Sequence, residues 1–128
     1  MVEISDKQFK AIVSKAIDGI PPPYIDRLEN VAFIIEDQPT PEQLQQLGMR
    51  YHDLLFGLYE GTPLPERNGS KLLPDKITLF KKPLQMVSRD RDELVEHVKN
   101  TVWHEVAHYY GLDHAKIHEI EKRDSSTS

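Results

Sequence analysis

Residues Trp103–His114 read W-H-E-V-A-H-Y-Y-G-L-D-H. His104 and His108 are four positions apart, so on a helix they share one face, about 6 Å apart at Cβ. Two imidazoles at that separation can converge on one zinc ion at roughly 2.0–2.1 Å each. Glu105 is one position on, too offset for a natural ligand but placed to take a proton from zinc-bound water. Gly111 can adopt a left-handed conformation without a Cβ penalty, which ends the helix and turns the chain back. His114 can then return as a third nitrogen ligand, with Asp113 or His118 as the alternatives. The pattern is H-E-x-x-H-x-x-G-x-x-H, three ligands with a fourth position left open for water.

The surroundings point the same way. Val95, Val98, Val102, Trp103, Val106, Ala107 and Tyr110 make the end of this helix apolar nearly all round, which implies burial. Histidines and a glutamate on a buried helix need a partner, because burying them unpaired costs several kcal/mol. A zinc ion supplies one. His97 lies on the same face as His104 but roughly 10 Å down the helix, too far to ligate, and reads as a structural or hydrogen-bonding residue. His52 reads as a surface residue.

The rest of the chain bounds what such a site can belong to. The length of 128 residues fits one domain, 1–123, with a mobile polar tail over 124–128. Apolar residues make up 38% and charged residues 29%, a balance suited to a soluble globular protein. No run of 18 apolar residues exists, and Met1–Lys10 lacks the apolar core of a secretion signal, so no membrane is expected and the default compartment is the cytoplasm. There is no cysteine, which leaves nitrogen and oxygen as the only metal donors. A net charge of −5 with interspersed signs argues against a phosphate-binding surface, so no nucleic-acid partner is expected.

Ser5 can cap a first helix with Phe9, Ile12, Val13, Ala16 and Ile17 at helical spacing, ended by Gly19 and Pro21–Pro23. A short turn over Tyr24–Glu29 precedes a compact apolar run, Val31–Ile35, that reads as a buried strand. A short helix from Pro41 ends at Gly48. Leu54–Tyr59 is a second strand, with Gly57 marking a bulge or a close backbone approach. Gly61–Pro74 reads as a long loop. Lys76–Lys81 is a third strand, placed at an edge by its terminal lysines, where Ile77–Phe80 would receive an extended peptide. Pro83 interrupts, Asp90 or Asp92 caps a long helix to Tyr110, and Ala115–Lys122 forms a last short helix. This order gives an α+β domain, a small mixed sheet packed against the site helix and further short helices.

The segments L-F-G-L-Y-E-G-T-P-L-P-E-R (Leu55–Arg67), D-K-I-T-L-F (Asp75–Phe80), E-L-V-E-H-V (Glu93–Val98) and T-V-W-H-E-V-A-H-Y-Y-G-L (Thr101–Leu112) together resemble the small zincin-like metallopeptidases, compact bacterial proteins with a minimal zincin fold. The resemblance implies a hydrolase of peptide bonds, with zinc as cofactor, His104 and His108 as ligands, Glu105 as catalytic base and a peptide or protein as substrate. It also implies no methionine turn, in keeping with the absence of any methionine after the motif. That family commonly carries an aspartate three residues after the helix-ending glycine, where this chain has His114 and sets Asp113 one earlier.

Two other readings compete. His104–His114 also fits H-x-x-x-H-x-x-G-x-D-H, which is similar to the three-histidine site of the endoribonucleases that mature ribosomal RNA. There a glycine usually follows the first histidine, and here Glu105 does. Alternatively zinc staples a binding or regulatory module without turnover. Glu105 separates these, since a structural site needs no base.

Overall fold

The computed structural model describes residues 1–26, 28, 30–50, 53–61 and 75–112. The first helix, α1 (Asp6–Asp18), starts where the sequence signals it. The Ser5 hydroxyl accepts from the Gln8 amide at 3.1 Å, and the Gln8 side chain accepts from the Ser5 amide at 2.9 Å. This reciprocal cap satisfies two donors that a helix start leaves open. Gly19 ends α1, and Pro22–Ile25 forms a single turn, α2.

Three strands follow among the described residues. They are β1 (Val31–Glu36), β2 (Gly57–Glu60) and β3 (Asp75–Phe80), and a short helix, α3 (Pro41–Gln46), lies between the first two. Among the described residues the sheet order is β1-β3-β2. β3 runs parallel to β1, from Val31 opposite Asp75 to Glu36 opposite Phe80. It runs antiparallel to β2, from Gly57 opposite Leu79 to Glu60 opposite Lys76. The architecture is therefore α+β with a small mixed sheet.

The strand expected at an edge is central. Lys76 is exposed, but Lys81 lies beyond the end of β3, buried, with its ammonium paired to the Asp6 carboxylate. Lys81 marks where the strand stops rather than a flank left open to solvent. Ile77, Leu79 and Phe80 of β3 are fully buried, in keeping with a central strand. Among the described residues the outer strands of the sheet are instead β1 and β2.

Pro83 does not break the chain either. It occupies the third position of α4 (Lys81–Met86), where a backbone N–H would have no partner within the helix. The second strand is shorter than the apolar run suggests: β2 begins at Gly57, and just before it the Phe56 carbonyl accepts from the Phe80 amide of β3 at 2.9 Å.

α5 (Arg91–Tyr109) carries the H-E-x-x-H segment. Asp90 caps it, its carboxylate accepting from the Glu93 amide at 2.9 Å. Leu94, Val98, Val102 and Val106 recur every four residues, fully buried against Phe9, Ile12 and Val13 of α1 and Ile77 and Leu79 of β3. Each such side chain contributes about 1.5–3 kcal/mol by leaving water. That stripe fixes the rotation of α5, and so decides which residues face the neighbouring groove. The helix ends as expected at Gly111, whose φ is +70°. The Gly111 amide donates to the His108 carbonyl at 2.9 Å and the Leu112 amide to the Ala107 carbonyl at 3.1 Å. This paired arrangement satisfies the last open carbonyls and requires a left-handed residue at Gly111.

Candidate active site

One turn-face round from the core stripe, His97, Thr101, His104, Glu105 and His108 follow at helical spacing and line a cleft of about 400 Å³. The opposing wall is Leu54, Leu55, Phe56 and Gly57, the apolar segment that leads into β2. The wall comes close because Gly57 has no side chain. A Cβ there would stand 2.6 Å from Thr101 Cγ2 and 3.2 Å from Glu105 Cγ, so β2 meets α5 through its backbone.

His104 is oriented from its own helix. Its Nδ1 lies 2.7 Å from the Asn100 carbonyl. A carbonyl can only accept, so Nδ1 carries the proton and, in the neutral ring, Nε2 carries the lone pair. His108 is held in a comparable way: its Nδ1 donates to Glu105 Oε1 at 3.1 Å. The bond to the Glu105 carboxylate raises the His108 pKa above the ordinary histidine value, with partial burial opposing it. Glu105 itself is buried, 8% exposed, at the foot of the cleft. A buried carboxylate needs a partner, and His108 is one.

The structure thus brings together His104, Glu105 and His108. His114, Asp113, His118 and His52 lie outside the described residues, as do the Gly61–Pro74 loop apart from Gly61 itself and the helix expected over Ala115–Lys122. Among the described residues no group of three or more histidine, aspartate or glutamate side chains is placed to hold a metal ion. His97 is hydrogen-bonded: its Nδ1 lies 2.9 Å from the Ser88 hydroxyl. Nothing in the residue pattern marked Asn100, whose backbone carbonyl rather than its side chain does the orienting. Nor did it mark Leu54–Phe56 as a cleft wall, since the same apolar run fits a strand.

A helix bearing H-E-x-x-H thus packs against a small mixed sheet, with both imidazoles tied through Nδ1. The family model for zincin-like metallopeptidases matches residues 28–123 of the 128. The chain belongs to that family, whose members are zinc-dependent hydrolases. No curated protein matches the sequence. Among the described residues no helix is long and apolar enough to cross a membrane.

Proposed function

We propose that this protein hydrolyses peptide bonds in a peptide or protein substrate, using a zinc ion held by His104, His108 and His114, with Asp113 or His118 as the alternatives for the third position. The observation that carries the reading is the pair of Nδ1 hydrogen bonds, His104 to the Asn100 carbonyl and His108 to Glu105. Each leaves an Nε2 lone pair as the donor atom, and hydrogen-bonded imidazoles of this kind suit zinc. Bound there, zinc would act as a Lewis acid toward the substrate carbonyl.

The chain's own groups do the rest. Glu105 takes the proton of the attacking water on its carboxylate and passes it to the leaving amine. Its burial, with Gly57 packed beneath, keeps that carboxylate in one place. The substrate lies extended in the cleft between α5 and Leu54–Gly57, beside β2, an outer strand among the described residues as β3 is not. The apolar wall excludes water from the reacting bond and favours apolar side chains beside it.

Glu105→Gln, loaded with zinc and compared with wild type on a pool of internally quenched peptides, tests this. Glutamine keeps the shape but cannot take the proton. Hydrolysis should fall by about 10²–10⁴-fold while zinc content and fold persist. Equal turnover in the variant would remove Glu105 from the mechanism.

A further inference from the structure

The far end of the cleft holds a group that the proposed chemistry does not use. His97 lines the cleft seven residues before His104, on the same helix face and roughly 10 Å from it along the axis. Its ring is fixed by a relay. The Ser88 hydroxyl, almost fully buried, lies 2.7 Å from the Leu84 carbonyl and 2.9 Å from His97 Nδ1. The hydroxyl has one proton, and the carbonyl can only accept it. Ser88 therefore donates to Leu84 and accepts from His97, so Nδ1 carries the ring proton. Nε2, at the opposite edge of the ring, keeps its lone pair, and no described residue takes it.

We infer that His97 is a specificity-determining residue of this cleft, accepting at Nε2 a hydrogen bond from a donor-bearing side chain of the substrate about three residues from the cleaved bond. The inference rests on the peptide-hydrolase reading for its substrate class. The spacing follows from geometry: an extended peptide advances about 3.3 Å per residue, so roughly 10 Å is three residues. The chemistry follows from the relay. A neutral imidazole protonated at Nδ1 offers an acceptor at Nε2, which selects for hydroxyl, amide or ammonium tips and against carboxylates. Leu54 and Leu55 on the opposing wall favour an apolar stem below that tip. The Ser88 hydroxyl is the positioning group: without it, the ring loses the partner that sets its tautomer.

The test is a cleavage profile of wild type, His97→Leu and Ser88→Ala on a mixed peptide library, read by mass spectrometry as residue preference at each position around the cut. Wild type should favour donor-bearing side chains about three residues from the cut. His97→Leu should lose that preference, with kcat/KM falling about 10-fold for the preferred peptide and staying level for one with a plain apolar residue there. Ser88→Ala should weaken the same preference at the same position. A role in folding alone would lower all substrates together and leave the profile unchanged, which would overturn the inference. Binding of the same peptides to zinc-loaded Glu105→Gln, with and without His97→Leu, separates the two claims. Donor-dependent binding that needs His97, without turnover in wild type, would sink the hydrolase reading and keep the subsite. Turnover with identical selection in wild type and His97→Leu would keep the hydrolase and sink the subsite. Neither binding nor turnover of any peptide would overturn both.

Discussion

Gly57 and Thr101 are in contact that admits no side chain, the missing Cβ falling 2.6 Å from Thr101 Cγ2. Real Cβ atoms do not approach that closely, so the glycine sets how near β2 can lie to α5. Glu105 is the next residue on that face, 3.2 Å from the same point. The depth of the cleft, and the seating of its carboxylate, therefore depend on one residue without a side chain.

Gly57→Ala should cost about 1–3 kcal/mol, the usual penalty for overpacking, measured by urea unfolding. Thr101→Ser removes Cγ2 and keeps the hydroxyl that donates to the His97 carbonyl. The Gly57→Ala/Thr101→Ser double variant should therefore recover much of the loss, a non-additivity expected only of groups in contact. Additive losses would mean the strain lies elsewhere.

The start of the site helix gives a pH-dependent term. Arg89 donates to Glu93 from its side chain at 2.7 Å and from its backbone amide at 3.0 Å, and these bonds hold the Glu93 carboxyl below its ordinary value. A folded pKa below the unfolded one stabilises the protein above the unfolded value, about 4.3, and that stabilisation is lost as pH falls through the folded value. The stability gap between wild type and Glu93→Gln should be constant above about pH 5 and close on acidification. Because the pair is on the surface, added salt should shrink the gap at neutral pH. A gap that widened with acid would have the wrong sign.

Asp90→Ala removes the carboxylate that accepts from the Glu93 amide. Loss of such a cap costs about 1 kcal/mol. Thermal unfolding should show that loss while peptide selectivity stays as in wild type, since Asp90 does not line the cleft. A changed cleavage profile would tie the helix start to the substrate.

The third ligand can be assigned by zinc affinity in single variants. His114→Ala should weaken zinc binding by more than about 100-fold if its imidazole completes the site. Unchanged affinity there, with the loss appearing in Asp113→Asn or His118→Ala, would move the ligand to that residue.

Much of this layout was legible in the sequence, and the failures have definite causes. Ser5 announced the start of α1, Asp90 or Asp92 the start of α5 and Gly111 its stop, because caps depend on local chemistry that travels with the residue; the structure selects Asp90. The four-residue spacing of His104 and His108 put them on one face for the same reason. Sheet order did not follow, since pairing is decided between segments far apart: Lys76 and Lys81, at the ends of the expected third strand, read as edge protection, yet β3 is flanked on both sides. Pro83 read as an interruption, yet the first turn of α4 has no use for its missing N–H. The Ser88–His97 tie joins the segment after α4 to α5, so neither residue signalled it alone.

The central claim is that His104 and His108 hold a zinc ion, and elemental mass spectrometry of gel-filtered protein tests it most directly. Wild type should carry about one zinc per chain, and His104→Ala and His108→Ala should each lose it, with lower stability as the metal's contribution to folding disappears. Zinc absent from wild type after reconstitution, or retained in both variants, would contradict the account.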